Sequence, residues 1–414
     1  MVDKKFQNEC SGCSACAEIC PVHCIKMTSD KQGFLYPEID HNLCINCGAC
    51  DRVCESATFR NVEETVPLAY AAYARDSQLR MQSSSGGFFS LAAEKCLEEN
   101  GVVVGASMSP DCYHVEHTFV TNKESLQALR GSKYLQSHSE GVFHKIKSLL
   151  EEGTQVLFSG TPCQVDGLKA YLGRDYDNLL CIDFICHGVP SEKTWKKYCD
   201  EIEEKSGRKI ASVNFRHKKY SWENITNPSL NKTGELIYKS RNEEPFLRLF
   251  LANYGLRPSC YECRHKGINR KSDITMADFW GIGNVLPAFS DGRGVSLILA
   301  HSSKGEKAIS DLNDRLIVQA INGCRAIDYN TSCLESAYKP EKVGSFWKGI
   351  DDKTIQELAD IYAPVSKKTR IKNAITRTGL YGKYRQLKKK NATNMEYGIL
   401  FVLETENEKG AEKS

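Results

Sequence analysis

Neither sign of charge dominates this chain: 55 Lys and Arg stand against 52 Asp and Glu, for a net charge of +3. So weak a balance excludes a global attraction to nucleic acid, and an electrostatic partner has to be met by a local patch. Long apolar runs are missing as well. No stretch approaches the roughly 18 residues needed to cross a bilayer, so a soluble protein is expected. The N-terminal MVDKKFQNEC carries charges and no apolar segment, so no secretory leader is expected there. Sequon matches such as Asn224-Ile225-Thr226 are then accidental. Structural disulfides are disfavoured for the same reason, and a reducing, cytoplasmic setting is expected.

Cysteine, by contrast, is abundant, with 19 residues, and eight of them form two copies of one pattern. Cys10, Cys13, Cys16 and Cys20 precede Pro21, and Cys44, Cys47, Cys50 and Cys54 repeat the spacing C-x2-C-x2-C-x3-C. Three thiolates spaced this way hold three corners of one iron-sulfur cube, and the fourth reaches the other cube. Cluster one is therefore assigned Cys10, Cys13, Cys16 and Cys54, and cluster two Cys44, Cys47, Cys50 and Cys20. Zinc ribbons use separated C-x2-C pairs and not triplets with a trailing ligand. Cys24 is left over and is expected to be buried.

At 414 residues the chain exceeds one compact core. The expected fold class is α+β: a small two-cluster ferredoxin-like domain, an α/β region and an α+β portion. The boundaries read as 1–62 for the ferredoxin domain, 66–150 and 151–340 for two parts of the following domain, and 341–414 for a helical basic tail. So short a first domain, joined through Gly33, Phe34, Tyr36 and Pro37, has too few aliphatics for a core and depends on metal bonds.

From Leu68 strands and helices alternate, which argues for layers around a partly parallel sheet. Strands are expected at Leu68–Ala74, Val102–Ala106, His114–Val120, Gln155–Phe158 and Leu179–Ile185, with helices at Gly86–Glu98 and Glu140–Glu151. Ser191 suits an N-cap for a helix Glu192–Glu204 ending near Gly207. Hairpin-like strands follow, with Ile210–Arg216 and a turn at Asn231–Gly234. A helix Glu244–Tyr254, strands Asp273–Phe279 and Val295–Ala300, a helix Glu306–Asn313 and a strand Leu316–Ala320 complete the body. The tail differs: Lys367 to Lys390 holds ten basic residues and no acidic one. Contact with a membrane surface or an acidic partner, or a solvated helix, are both open readings of it.

Several segments carry chemistry. In Ser83-Ser84-Ser85-Gly86-Gly87, serines can cap the next helix while glycines let its N–H groups approach a phosphate. A serine N-cap without ligand is the plainer reading. In Ser159-Gly160-Thr161-Pro162-Cys163-Gln164, Thr161 suits the N-cap and Pro162 the first helical position. Cys163 then falls in the first turn, where the helix dipole lowers a thiol's pKa. It is a metal ligand, a nucleophile or an inert buried thiol. Cys186-His187-Gly188 emerges at the same sheet edge, so the two sulfurs can converge. Cys260-Tyr261-Glu262-Cys263 adds a close pair, and the four thiols together make a third 4Fe-4S site, with a zinc half-site or a redox dithiol as alternatives. Gly131-Ser132-Lys133-Tyr134-Leu135-Gln136-Ser137 combines a cation with hydroxyls and can meet an anionic cofactor, or can be a surface loop. Ala277-Asp278-Phe279-Trp280-Gly281 is expected to pack near a cofactor, with Asp278 a hydrogen-bond partner.

In this order the motifs resemble the family of the coenzyme F-420 hydrogenase/dehydrogenase beta subunit. They are SSGG at 84–87, GSKYLQS at 131–137, SGTPCQVDGLK at 159–169, CHGVPS at 186–191, and SCYEC through ADFWG at 259–281. The resemblance covers about residues 66–335, and the double-cluster module is a frequent companion in similar proteins. It implies a flavin-dependent iron-sulfur oxidoreductase that binds FAD and exchanges electrons with coenzyme F-420 or a comparable deazaflavin. Cys163, Cys186, Cys260 and Cys263 match the family's cluster cysteines. Ser85, Gly86, Gly87, Gly131, Ser132 and Lys133 match its flavin region. Relatives of this architecture also include chlorophyll-pathway reductases and proteins associated with polysaccharide biosynthesis. The implied partners are a ferredoxin or another redox protein and a small-molecule substrate. A non-catalytic electron-transfer subunit of a larger redox complex is the alternative.

Overall fold

The computed structural model describes residues 8–54, 66–216, 218, 226–230, 236–240, 243–366 and 400–403. These divide into two compact units, one of residues 1–109, 114–193 and 256–338, the other of 110–113, 194–255 and 339–414. Among the described residues no helix is long and apolar enough to cross a membrane.

The first unit begins with the duplicated cysteine module. Strands Ile25–Ser29 and Leu35–Ile39 pair antiparallel, Ile25 opposite Ile39. The hairpin turn is closed by Asp30, whose Oδ1 accepts from the N–H groups of Gln32 and Phe34, both at 2.9 Å. Each cysteine run leads into a one-turn helix, Ala15–Glu18 and Ala49–Val53. The duplication extends to the backbone: Gly12 and Asn46 have φ of 69° and 54°, and Ser14 and Gly48 both have 68°. Left-handed residues on either side of the second cysteine curl each loop and turn its N–H groups inward, the concavity that suits an anionic cluster. The module's apolar cluster consists largely of sulfur: Cys16, Cys20 and Cys24 with Ala17 and Ile25, flanked by Cys44, Cys50 and Cys54. Cys24 is buried, as its place between packing residues predicts.

The body of this unit is one nine-stranded mixed sheet. Across it run Leu316–Ile321, Leu68–Ala74, Ser296–Ala300, Ile274–Asp278, Leu179–Phe184, Val156–Ser159, Val102–Met108, Val115–Val120 and Ser137–His138. The four strands from Ile274–Asp278 to Val102–Met108 are mutually parallel and are buried on both faces, which explains their continuous apolar runs. Helix Phe88–Glu98 covers one face, with Leu91, Ala92 and Ala93 packed among Val103, Leu157, Ile182 and Ile298. Helices Val142–Glu151 and Pro162–Leu172 cover the other, where Phe143, Ile146 and Leu168 meet Phe158 and, from the cysteine module, Ala15 and Val53. The sequence boundary near residue 150 runs through this sheet, because parallel neighbours such as Val102–Met108 and Val156–Ser159 need a crossover between them. The two expected parts therefore share one core.

The segment 194–255, expected within the second part, groups instead with residues 339 onward. In that unit Trp195 is fully buried, donates from Nε1 to Cys112 O at 2.8 Å and packs on Phe215 and Phe246. Strands Thr226–Leu230 and Leu236–Ser240 pair antiparallel; the turn expected between them lies outside the described residues. Helix Ile355–Tyr362 is started by a capping box of Thr354 and Glu357. Leu400–Leu403, expected in a helical tail, is a strand paired with Ile210–Asn214. The basic stretch Lys367–Lys390 lies outside the described residues.

Candidate functional site

Contacts among the N-terminal cysteines cross between the two runs. Cys13 and Cys16 each lie close enough to Cys10 and Cys54 to interact electrostatically, and Cys16 reaches Cys50 as well. Cys20 instead makes a 3.4 Å contact with Cys24 Sγ, and Cys24 in turn bonds Cys44 of the second run. Burial pushes the Cys13 thiol up to about 12 and raises Cys16 as well. At Cys20 burial raises the pKa too, but the Cys24 N–H at 3.4 Å and other donors outweigh it and the net direction is down. Cys47 is exposed. Eight thiols in the two runs match in number the donors that two cubes require.

The later cysteines meet as well. Parallel neighbours Val156–Ser159 and Leu179–Phe184 end at one edge of the sheet, and the chain leaves one toward Cys163 and the other toward Cys186. The 3-10 turn Pro258–Glu262 and the residue after it deliver Cys260 and Cys263. All four thiols line one cavity, with Arg257, His265 and Lys266. Gly188, at φ 152°, lies against Cys260, where a β-carbon would be 3.3 Å from Cys260 Cβ. Lys266 Nζ donates to Cys186 O at 2.6 Å and to Ser332 O at 2.7 Å, and Cys263 N donates to Ser336 Oγ at 2.9 Å. His265 contacts Asp166 on the Cys163 helix. Among the described residues no group of three or more His, Cys, Asp or Glu side chains converges on a single-ion position. The donor set, four thiols around one space, fits a cluster.

The helix at Cys163 starts as its sequence predicts: Pro162 is in the first turn, and Thr161 N donates to Gln164 Oε1 at 3.1 Å. The expected lowering of the Cys163 pKa is reversed. Burial drives it well up, the Thr161 hydroxyl at 3.0 Å opposes this, and the neighbouring thiols of Cys186, Cys263 and Cys260 add to the rise. Burial likewise lifts Cys186 to about 11 and Cys260 to about 12. A thiol held neutral is a poor nucleophile, so burial counts against that reading and leaves a metal ligand and an inert buried thiol as the alternatives for Cys163.

Side chains to which sequence reasoning assigned no such role join the two sulfur sites. Arg257 is fully buried. Its Nε donates to Cys10 O at 2.7 Å, Nη1 to Gln136 Oε1 at 3.0 Å and Nη2 to Leu35 O at 2.6 Å, and its guanidinium lies 4.5 Å from the Tyr36 ring centroid. Nη2 also points at Cys10 Sγ at 3.8 Å. The backbone of the same residue belongs to the other site: its N–H donates to Val189 O and its carbonyl accepts from Cys260 N, both at 2.9 Å. Gly167, on the Cys163 helix, lies against Cys13, where a β-carbon would be 2.9 Å from the sulfur. Gln136 Nε2 donates to Ser11 O at 2.7 Å, Ser139 Oγ to Cys13 O at 3.2 Å, and Gln164 Nε2 to Ser137 O at 3.0 Å. Ser191 Oγ donates to Gln32 O. Glu18 accepts from the N–H groups of Phe143 and His144 at 3.2 and 2.9 Å, a carboxylate on a helix N-terminus. The one available signal for Arg257 was its place directly before Pro258 and the cysteine pair.

The flavin candidates divide. Ser132 N and Oγ reach Ser84 Oγ at 2.8 and 3.1 Å, so the two segments meet. Ser85 Oγ, however, donates to Val295 O at 2.8 Å and Gly86 N to Ser296 Oγ at 3.1 Å. A β-carbon at Gly86 would be 2.3 Å from Ala72 O, so the sheet requires this glycine. Gly87, at φ 96°, starts the helix against Leu79. Gly131, at φ 84°, has open space where a side chain would be. Lys133 Nζ donates to Ala128 O and Arg130 O at 2.8 and 3.0 Å, and burial lowers it to about 7. Gly131 thus has open space beside the Ser84–Ser132 contact, and the lysine is turned to the backbone. In the aromatic motif Gly281, at φ 73°, seats the Tyr329 ring, 2.2 Å from where a β-carbon would be.

Comparison with known proteins finds three family models that match. Residues 69–143 match the N-terminal model of the coenzyme F-420 hydrogenase/dehydrogenase beta subunit, 153–322 its C-terminal model, and 9–58 a 4Fe-4S dicluster domain. One of the subunits of the F(420)H(2) dehydrogenase of Methanosarcina mazei is 25% identical over 233 residues, covering 51% of this chain and 63% of the relative. The chain thus spans less than two thirds of that relative's length. A 7Fe ferredoxin of Hydrogenibacillus schlegelii is 37% identical over 60 residues, 14% of this chain and 69% of the ferredoxin. Among solved structures, a chain of the F-420-reducing NiFe hydrogenase complex of Methanosarcina barkeri matches with a TM-score of 0.43 and 14% identity, covering 66% of this chain and 93% of that one.

Proposed function

The chain belongs to the family of the coenzyme F-420 hydrogenase/dehydrogenase beta subunit, with two 4Fe-4S clusters in an N-terminal dicluster domain, and from that premise we propose a flavin-dependent oxidoreductase with a third cluster at Cys163, Cys186, Cys260 and Cys263. Cys10, Cys13, Cys16 and Cys54 hold the first N-terminal cluster in this reading, and Cys20, Cys44, Cys47 and Cys50 the second. When bound, clusters carry single electrons, and FAD exchanges them for the hydride of a deazaflavin such as coenzyme F-420 or a similar organic substrate.

The observation that carries the reading is Arg257. Its side chain bonds the loop of Cys10 and its backbone starts the turn of Cys260, so one residue fixes the interval between two sets of sulfur. Gly167 supports the same reading by letting Cys13 settle on the helix of Cys163. Lys266 and Arg257, both lining the later cavity, offset the negative charge of a thiolate-bound cube and favour its reduced form. Ser84, Gly131 and Ser132 are the residues that would hold the flavin.

Anaerobic purification with iron, sulfide and flavin counts tests the proposal. About twelve irons per chain are expected for three cubes and about eight for two. Cys163→Ala is expected to remove about four irons and leave the N-terminal clusters; full retention of iron overturns the third site. An electron-transfer protein without flavin is the second reading, favoured by the use of Ser85 and Gly86 in the sheet and of Lys133 on backbone carbonyls. A preparation with full iron, no flavin and no activity toward a deazaflavin would select it.

A further inference from the structure

Beside the second cysteine run the first unit carries a groove lined by Cys47, Arg52, Lys169, Arg174 and Lys271, with Pro21 and Val53 on its apolar walls. Its one carboxylate, Asp175, is paired with Lys169 at 2.9 Å. Arg174 lies over the Tyr176 ring at 4.5 Å, which holds the guanidinium in place. The loop that carries Cys47 also presents Leu43 and Ile45, 56% and 61% exposed. In a chain whose net charge is only +3, four cations in one groove are a local concentration, and they surround an exposed cysteine of a cluster motif.

We propose that this groove and the Leu43–Ile45 loop are the docking surface for an acidic one-electron carrier protein. The proposal rests on the dicluster reading above and adds to it the place and charge of the partner. Two exposed aliphatics beside a cluster thiol give a contact that excludes water, and the surrounding cations steer a negative surface toward it. In the exchange one electron leaves the carrier's reduced cluster, which is oxidised, and enters the cluster that Cys47 helps hold, which is reduced; no proton moves. The other thiols of the two runs lie deeper than Cys47, so the surface over Cys47 offers the shortest route for an electron from outside.

The test uses the reconstituted full chain, with an acidic two-cluster ferredoxin as carrier and reduced methyl viologen, a small cation, as reference donor. Bleaching of the cluster absorbance is followed by stopped flow. Arg174→Glu with Lys271→Glu is expected to slow reduction by ferredoxin about tenfold at low ionic strength, and Arg174→Glu alone about threefold. Iron content and reduction by methyl viologen stay unchanged, and Lys95→Glu, on the helix Phe88–Glu98 that covers the opposite face of the sheet, leaves the ferredoxin rate unchanged. Added salt closes the gap between wild type and variants. Equal ferredoxin rates in wild type and both variants overturn the surface, as does a wild type that ferredoxin does not reduce. A concentration-dependent dimer abolished by the same substitutions also overturns it, because a second copy then occupies the groove. A count of eight irons without flavin would defeat the third-cluster and flavin reading while leaving this one standing.

Discussion

The N-terminal module and the nine-stranded body gather cysteines in opposite ways. In the module the thiols are themselves the interior: two one-turn helices, one hairpin and a core of cysteines with few aliphatics. In the body Cys163, Cys186, Cys260 and Cys263 are brought to one cavity by strands and turns whose core of Phe143, Phe158, Leu168 and Leu179 contains none of them. Thiol placement and fold are thus one problem in the first region and two in the second. The difference teaches why a contiguous motif suffices for the small domain, while the larger site requires more than 100 residues of scaffold.

The sharpest way to break that comparison is Cys13→Ala. Small metal-held domains draw on the order of 10 kcal/mol from their metal, so this variant is expected to lose at least one N-terminal cluster and the protease resistance of the module. The body should survive as a fragment beginning near residue 66, read by limited proteolysis and iron counts. If the module stays protected without iron, it has a core of its own and the contrast fails.

Arg257→Gln tests the joint between the two. It removes charge-assisted hydrogen bonds to Cys10 O and Leu35 O, worth about 3 kcal/mol together in a buried setting, and should lower the melting temperature. It also withdraws the N–H aimed at Cys10 Sγ. The reduction potential of the cluster held by Cys10 is expected to shift negative, measured by a redox titration followed by EPR. An unchanged potential would leave Arg257 a purely structural residue.

The body's own sensitivity is to a proton. His117 is buried, stacks on Phe158 at 5.1 Å, approaches Ser159 O at 3.0 Å, and is pushed by burial down to about 4. The unfolded chain takes up a proton below pH 6.5 that the folded chain refuses until pH 4. Stability is therefore fully present above 6.5 and falls by about 3 kcal/mol as pH drops through that window. His117→Phe should flatten this part of the pH–stability curve, read by thermal denaturation, and iron-depleted protein should show the same slope. A slope that persists in the variant places the titrating group elsewhere.

The sequence made the N-terminal cysteines legible because their spacing encodes their chemistry, and residues 9–58 match a 4Fe-4S dicluster domain. The strands around Cys163 and Cys186 were legible as well, since parallel strands buried on both faces are continuous apolar runs. Arg257, Gln136, Glu18 and Gly167 were not. Each acts through contacts with residues more than a hundred positions away, and a single residue leaves no periodicity. The GSKYLQS segment shows the limit of motif reading: its first half meets Ser84, while Gln136 and Ser137 secure the cysteine loop and the Cys163 helix. The helix at Cys163 was placed correctly and its electrostatics were not, because desolvation of a buried thiol outweighs a helix dipole.

The contact between Cys13 and Gly167, with the bonds from Arg257 to Cys10 and Leu35, bears on how the chain is made. The ribosome releases all eight N-terminal thiols by residue 54, yet the seat that encloses them is finished only when residue 257 emerges. Iron delivered early meets an open nascent chain, whereas iron delivered late must enter a loop already clasped by its scaffold.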